Sequence, residues 1–143
     1  MLSLCFYKEY TTHIQEWQMS QLYDLKSMFD YEISYNERVS ITPRNFKFDF
    51  KLIDSIESHY AIIGVAAGID EYPLYYDACN EKGLSIAGLN FEGNAVYNDC
   101  ENNMINIAPF ELIPYILSSA STVFEARKLL GEINLVDINF ADE

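Results

Sequence analysis

The stretch YAIIGVAAGIDEYPLYYDACNEKGLSIAGLNF (residues 60–91) decides the fold. Tyr60–Gly68 is a short apolar run, and its two glycines favour a buried strand that other backbone approaches closely. Glu71–Cys79 follows a turn, NEKG at residues 80–83 is a hairpin signal, and Leu84–Asn90 forms the returning strand. This stretch therefore predicts a three-stranded antiparallel meander.

The residues before the meander predict one helix and two strands. The spacing predicts a helix over residues 13–29, with an apolar face of Ile14, Trp17, Leu22, Leu25 and Phe29. Residues 31–42 predict a strand that enters a turn at Pro43. In residues 46–51 phenylalanines alternate with charged residues, which is typical of a half-buried strand.

The residues after the meander predict two helices. Residues 92–108 are polar and loop-like, and Pro109 suits the first turn of a helix, with Glu111 at its positive end. The apolar stripe of this helix is Phe110, Ile113, Ile116 and Leu117. Ser121 or Thr122 caps a second helix, which has Glu125 in a capping box, inward-facing Val123, Ala126, Leu129 and Leu130, and a stop at Gly131. Residues 133–140 read as another strand or an extended exit. The pattern as a whole predicts an α+β fold.

Composition limits the classes of partner. The chain has 143 residues, half of them hydrophobic, and a net charge of −13. One globular domain is expected. The acidic balance argues against nucleic acid and against anionic membranes. No apolar run approaches the ~20 residues that a membrane-spanning helix needs.

Cysteine and histidine usage argues against a metal site. Cys5, Cys79 and Cys100 form no CxxC pair, and His13 and His59 lie far apart in the sequence. We expect no metal and no other cofactor. An odd cysteine count without a secretory signal fits a reducing compartment, so the cytoplasm is the expected location.

Spacing alone leaves the candidate chemistry open. Asp70-Glu71 and Asp77 are either a carboxylate pair for acid/base work or turn residues at the end of a strand. His59 is expected at the surface or at a sheet edge, and Cys79 as a small core residue. Asn90, an amide at the end of an apolar strand, either requires buried partners or could stabilise an oxyanion.

Residues 30–140 resemble the N-terminal part of the choloylglycine hydrolases, the bile salt hydrolases. Six motifs occur in the order of that family and close to its spacing: Asp30-Tyr31-Glu32, Ile41-Thr42-Pro43-Arg44-Asn45-Phe46, Asp70-Glu71-Tyr72-Pro73, Asn80-Glu81-Lys82-Gly83-Leu84, Ala87-Gly88-Leu89-Asn90-Phe91 and Ile133-Asn134-Leu135-Val136-Asp137.

The resemblance implies an N-terminal-nucleophile hydrolase with an αββα sandwich, of which this chain would form a part: an antiparallel sheet with helices packed on one face. A cysteine thiolate would attack the amide of a glycine- or taurine-conjugated bile acid, and its own α-amine would act as base. Asn90 matches the oxyanion-hole asparagine of the family, and Asp30 matches the aspartate that holds the nucleophile. Phe29, Tyr72 and Phe91 are expected in the substrate pocket.

The chain departs from the family pattern at its N-terminal side. Leu2 stands where the nucleophilic cysteine is expected after the initiator Met, and Ser27 stands where the family has an arginine. At the family spacing from Asp30, the nucleophile position falls near Thr11. Cys5 is the nearest thiol and therefore the candidate for a displaced nucleophile.

These departures lead to an expectation of an atypical, helical segment 1–29 and a truncated family domain 30–143. The expected activity is hydrolysis of conjugated bile acids, absent or impaired in this chain, so whether the chain is itself an enzyme stays open. The alternatives are a non-catalytic steroid-binding module and a fragment that a second chain complements. The expected partners are conjugated bile acids together with a homo-oligomer or a complementing chain.

Overall fold

A five-stranded antiparallel sheet organises the computed structural model, which describes residues 3–7, 37–69, 72–89 and 96–140. Its strands lie in the order β1–β5–β4–β3–β2. Their bounds are β1 Ser3–Tyr7, β2 Glu37–Thr42, β3 Ile62–Ile69, β4 Tyr72–Asn80 and β5 Ser85–Leu89. The predicted meander is confirmed as β3–β4–β5, with β1 and β2 added on its two sides.

Two positions of the meander require glycine, one because a Cβ would not fit and one because the backbone has a positive φ. A Cβ on Gly64 would lie 2.2 Å from the Asp77 backbone oxygen and 2.5 Å from the Ala78 Cβ, so only glycine fits between β3 and β4. Gly83 has φ of +81° in the NEKG turn, a conformation that favours glycine. The close backbone approach and the hairpin turn predicted from the sequence are both confirmed.

The two predicted helices are also present. A 3₁₀ turn, Pro109–Glu111, leads into α1, Leu112–Ser119. Helix α2, Val123–Leu130, is capped by Thr122, whose hydroxyl accepts the Glu125 backbone N–H at 3.2 Å. The C-cap of α2 is Gly131, as predicted.

A short parallel pair completes the described architecture. Strand β6, Ile105–Ile107, pairs with β7, Ile133–Leu135. Reading residues 92–108 as a loop throughout was therefore wrong at β6, a strand of three residues that is too short to show a period. The buried Asn134 amide donates to the Asp99 backbone oxygen and to Asn106 Oδ1, both at 2.8 Å, which ties the preceding loop to this pair.

The strand predicted over residues 46–51 is not formed. This segment makes one isolated bridge, between Phe48 and Ile56. The alternation that suggested a strand is real in burial, since Phe48 and Phe50 are buried while Lys47, Asp49 and Lys51 are exposed. Packing of aromatic rings, rather than a strand ladder, explains the pattern. The helical character expected for segment 1–29 is wrong at Ser3–Tyr7, which form β1 and pair with β5. The predicted helix over 13–29 and the first part of the predicted strand 31–42 lie outside the described residues.

Helices cover one face of the sheet. Side chains from β3, β4 and β5 join α1 in one core cluster, whose sheet members include Ile62, Ala66, Ala78 and Ile86 and whose α1 members include Leu112, Ile113, Ile116 and Leu117. The α+β class, with an antiparallel sheet and helices on one face, is confirmed. Among the described residues, no helix has both the length and the apolar character that crossing a membrane requires.

Candidate functional site

The sheet has two ends with different contents. At the Tyr72 end, β3 finishes at Ile69, β4 begins at Tyr72 and β5 finishes at Leu89. At the Asn80 end, β3 begins at Ile62, β4 finishes at Asn80 and β5 begins at Ser85. Asn90 directly follows β5 in the sequence, so the Tyr72 end is the end of the sheet from which the chain continues into the predicted oxyanion-hole residue.

Four of the six predicted site residues lie outside the described residues. They are Phe29, Asp30, Asn90 and Phe91. The other two, Cys5 and Tyr72, lie on β1 and β4. Which of the six come together is therefore still a prediction, and the structure supplies the sheet that leads to them.

The backbone of Cys5 lies inside the sheet, away from its Tyr72 end. Strand β1 pairs with β5 so that Ser3 is opposite Leu89 and Cys5 is opposite Ala87. Two residues along an antiparallel strand span about 7 Å. Ser3 is therefore paired with the last residue of β5, and Cys5 lies two residues further from the Tyr72 end of the sheet.

Tyr72 is part of an aromatic cluster. Its ring centroid lies 6.1 Å from that of Phe48, 6.1 Å from that of Phe110 and 6.0 Å from that of Phe140. Its hydroxyl is buried and has no hydrogen-bond partner in the part of the chain that is described. Burial, with a smaller effect from the nearby Glu111 carboxylate, raises the pKa of the Tyr72 phenol far above its ordinary value. The hydroxyl therefore stays protonated.

Glu111 is a fully buried carboxylate that the sequence pattern did not identify. It was expected only to favour the N-terminal end of a helix. In the structure its Oε1 accepts the Lys51 backbone N–H at 2.7 Å and its Oε2 accepts the Ala108 backbone N–H at 2.9 Å. Burial raises the pKa of Glu111, while these two hydrogen bonds oppose the shift. The Glu111 side chain thus joins the end of segment 46–51 to Ala108, the residue before the 3₁₀ turn that leads into α1.

Asp77 is buried in the middle of β4. It is opposite Val65 on one side and Ala87 on the other, so it shares a sheet row with Cys5 on β1. Its carboxylate accepts the Val65 backbone N–H, and its Oδ1 has no partner within the described residues. Burial raises its pKa. The carboxylate pair suggested with Asp70-Glu71 is not tested, because residues 70 and 71 lie outside the described part.

The Asn80 side chain closes the opposite end of the sheet. Its Oδ1 accepts the backbone N–H groups of Lys82 at 3.0 Å and Leu84 at 3.1 Å. Its Nδ2 donates to the backbone oxygens of Leu117 at 2.9 Å and Ala120 at 2.7 Å. The NEKG signal predicted the turn, but the second pair of bonds joins that turn to the C-terminal end of α1, 37 and 40 residues away in the sequence.

His59 is buried, so its predicted place at the surface or a sheet edge was wrong. Its Nδ1 lies 2.6 Å from the Tyr60 backbone oxygen and its Nε2 lies 2.8 Å from the Phe46 backbone oxygen. A neutral imidazole carries one N–H and can donate to one of these oxygens, whereas an imidazolium donates to both. Both contacts are to backbone, and the ring packs against Phe48 at 4.9 Å, so His59 has a structural role.

The charged and sulfur groups of the described residues do not form a metal centre. No group of three or more His, Cys, Asp or Glu side chains there could hold a metal ion. Cys79 and Cys100 are free thiols, and Cys79 is half-buried in β4 with its Sγ 3.2 Å from the Asn80 backbone oxygen. An exposed ion pair, Arg44 with Glu81, lies at the Asn80 end, and Nε donates to both carboxylate oxygens at 2.9 and 3.0 Å.

The chain is similar to proteins that act on conjugated bile acids. The model of the choloylglycine hydrolase family of linear amide C-N hydrolases matches residues 13–143. The bile salt hydrolase/transferase of Lactiplantibacillus plantarum is 54% identical over 115 residues, which are 80% of this chain and 36% of that protein. The conjugated bile acid hydrolase of Lactobacillus gasseri is 38% identical over 104 residues, 72% of this chain and 33% of that protein.

Solved structures also show similarity to conjugated bile acid hydrolases. Crystal structures of two variants of the conjugated bile acid hydrolase from Clostridium perfringens align with TM-scores of 0.71 and 0.67, at 33% and 35% identity. They cover 78% and 75% of this chain, and 35% and 33% of those chains. The chain thus spans about a third of the length of the relatives that it matches.

Proposed function

The chain belongs to the choloylglycine hydrolase family of linear amide C-N hydrolases. We therefore propose that its function is hydrolysis of the amide bond in glycine- or taurine-conjugated bile acids. The observation that carries this proposal is the 54% identity to a bile salt hydrolase/transferase. The family motifs of residues 30–137 support it, since they include Asp30 and Asn90, which match the aspartate that holds the nucleophile and the oxyanion-hole asparagine of the family.

In the proposed reaction a thiolate attacks the amide carbonyl carbon and forms a thioester with the bile acid. The carbon–nitrogen bond breaks, and glycine or taurine leaves with the proton that the α-amine of the nucleophile took from the thiol. Water then hydrolyses the thioester, which releases the bile acid and restores the thiol. The Asn90 amide donates to the oxyanion that develops on the carbonyl oxygen, a contribution that strengthens as charge builds up. Asp30 holds the nucleophile. Phe29, Tyr72 and Phe91 line the apolar part of the pocket, and the Tyr72 ring also packs against Phe48, Phe110 and Phe140.

We further propose that this chain on its own does not hydrolyse conjugated bile acids. Its residues 6–29 contain no cysteine, although the nucleophile position falls near Thr11, and Ser27 replaces the arginine of the family motif. The missing cysteine and arginine also support an atypical segment 1–29 before a family-like domain 30–143, although the family model begins at residue 13 and Ser3–Tyr7 pair with β5 in the sheet. The free thiols of Cys79 and Cys100 support a cytoplasmic location.

The test is hydrolysis of glycocholate and taurocholate by the purified chain, with released glycine or taurine measured by mass spectrometry. We expect no release above the buffer control. Release that Cys5→Ala abolishes, and that Cys100→Ser leaves unchanged, would overturn the proposed inactivity and assign the nucleophile to Cys5.

A second candidate function, a fragment that a second chain complements, is favoured by one specific observation. Aliphatic side chains on the sheet face away from the helices are open to solvent, with Val39 73% and Ile41 70% exposed. An antiparallel sheet that faces water on one side normally shows polar residues there. The exposed aliphatic side chains therefore favour a further polypeptide layer packed on this face of the sheet.

A further inference from the structure

Glu111 joins two segments that both contact Tyr72. Its Oε1 accepts the Lys51 backbone N–H at 2.7 Å, and its Oε2 accepts the Ala108 backbone N–H at 2.9 Å. The Glu111 side chain is fully buried and makes no salt bridge within the described residues. A buried carboxylate needs hydrogen-bond donors, so these two bonds hold segment 46–51 at a fixed distance from the start of the helical layer.

Each of these segments supplies one ring to the aromatic cluster around Tyr72. Phe48 belongs to segment 46–51, and its ring centroid lies 6.1 Å from that of Tyr72. Phe110 directly precedes Glu111, and its ring meets the Tyr72 ring edge to face with the centroids 6.1 Å apart. Two of the three described rings that pack against Tyr72 therefore belong to the segments that Glu111 joins.

Ring packing alone positions the Tyr72 side chain within the described residues. The backbone of Tyr72 is fixed by its pairing with Ile69 on β3, but its buried hydroxyl has no hydrogen-bond partner there. The position of the ring therefore depends on the neighbouring rings of Phe48, Phe110 and Phe140. Phe140 in turn packs on Phe110, with the two centroids 5.1 Å apart.

From these contacts we infer that Glu111 is a positioning residue, which sets where the Tyr72 ring lies in the substrate pocket by fixing Phe48 and Phe110. The inference rests on the proposed function, in which Tyr72 lines that pocket. Glu111 is fully buried and acts through Tyr72. Burial is the larger cause of the raised pKa of the Tyr72 phenol, and the Glu111 carboxylate adds to it, so the two side chains also interact electrostatically.

A role of Glu111 in stability alone is the competing explanation, and Glu125 provides the comparison. Both are the third residue after an N-cap, and Glu125 accepts the backbone N–H groups of Ser121 at 2.7 Å and Thr122 at 3.2 Å. Glutamine at either position keeps the shape but replaces one acceptor oxygen with an NH₂ group. Glu125 is exposed, and only Glu111 is joined to rings that contact Tyr72.

The first experiment follows the Tyr72 ring by NMR in the full 143-residue chain, with tyrosine isotopically labelled at Cζ. Tyr72→Phe assigns the Tyr72 signal among the eleven tyrosines. We expect Glu111→Gln to move this signal and Glu125→Gln to leave it in place, under conditions where urea unfolding shows both variants folded. Glu111→Asp keeps the charge but is one methylene shorter, so it should also move the signal if position, and not charge, is responsible.

The second experiment measures glycocholate binding by calorimetry. We expect Glu111→Gln to bind roughly tenfold more weakly than wild type, because the aromatic contact with Tyr72 is misplaced. Loss of a negative charge alone would strengthen binding of this anionic ligand. In a Tyr72→Leu background, Glu111→Gln should weaken binding no further, since residues that act as a unit are not additive.

An unmoved Tyr72 signal in both Glu111 variants, or an equal movement in Glu125→Gln, would overturn the inference. Glycocholate binding that Glu111→Gln leaves unchanged, or weakens equally in the Tyr72→Leu background, would overturn it too. If Glu111→Gln does not fold, Glu111→Asp gives the same comparisons. The proposed function fails separately: absence of glycocholate binding by wild type contradicts the place of Tyr72 in a bile acid pocket, while the NMR comparison still decides whether Glu111 positions the ring.

Discussion

Asn80 and Asp77 are both buried polar residues of β4, three positions apart, and they differ in how their side chains are satisfied. The Asn80 amide makes four hydrogen bonds to backbone groups of the NEKG turn and of the end of α1. The Asp77 carboxylate is buried with its Oδ1 unpartnered within the described residues. The contrast separates a buried side chain whose hydrogen-bonding groups are all satisfied by the described residues from one that these residues satisfy only in part.

The strongest test of this contrast is Asn80→Ala. The substitution removes four hydrogen bonds and leaves the buried Leu84 N–H without its side-chain acceptor. At roughly 1 kcal/mol for each neutral bond, with a further cost for buried groups left unpaired, we expect a loss of about 3 kcal/mol in unfolding free energy. Urea denaturation measures it. Asn102→Ala, at an exposed turn, is the control and should change little. A loss below about 1 kcal/mol would contradict the role of Asn80 as a clamp.

Asp77→Asn should act in the opposite direction. Burial raises the pKa of Asp77 above its ordinary value of 3.8, so the folded state binds this proton more tightly than the unfolded state. Protonation of Asp77 therefore stabilises the folded state. This stabilisation is complete below pH 3.8 and is lost as pH rises through the folded-state pKa. The neutral variant should therefore be more stable than wild type at pH 7, by about 1 kcal/mol.

The pH dependence of that difference is the decisive readout. The stability gap between Asp77→Asn and wild type should close as pH falls from 7 towards 4, in urea unfolding at matched ionic strength. Cys79→Ser, two residues along the same strand, is the control. Its difference from wild type in unfolding free energy should be the same at pH 7 and at pH 4. If the gap is independent of pH, the carboxyl proton does not cause it.

The sequence predicted the sheet better than it predicted the role of individual polar residues. The apolar run with its two glycines and the NEKG turn predicted β3, β4 and β5, because buried strands and hairpin turns depend on local chemistry. The capping box at Thr122 and Glu125 was found for the same reason. The strand expected over residues 46–51 was wrong because the same alternation also suits rings packed under a helical layer.

Buried polar contacts escaped prediction because their partners are distant in the sequence. His59 was predicted as a surface or edge residue, and nothing local indicates that its Nε2 contacts the carbonyl oxygen of Phe46, 13 residues earlier. Glu111 matched a helix-start pattern, whereas its second oxygen reaches Lys51, 60 residues earlier. For Asn90 and Asp30 the resemblance to a family provided the roles, since spacing alone left them open.

Arg44→Ala should give the smallest effect, and it sharpens the contrast between buried and exposed bonds at the Asn80 end. Arg44 and Glu81 form a bidentate pair, which raises the pKa of Arg44 and lowers that of Glu81. Glu81 also accepts the Ala61 backbone N–H at 3.2 Å. Because the Arg44 side chain is 72% exposed, water and salt screen most of the attraction.

We therefore expect the thermal midpoint of Arg44→Ala to fall only slightly in low salt and to match wild type in 1 M NaCl, the only condition altered. The lowered pKa of Glu81 gives the sign of the pH dependence: its stabilising share is present above the ordinary carboxyl range and is lost as pH falls. A fall as large as that of Asn80→Ala would show that the ion pair, and not the Asn80 amide, holds this end of the sheet together.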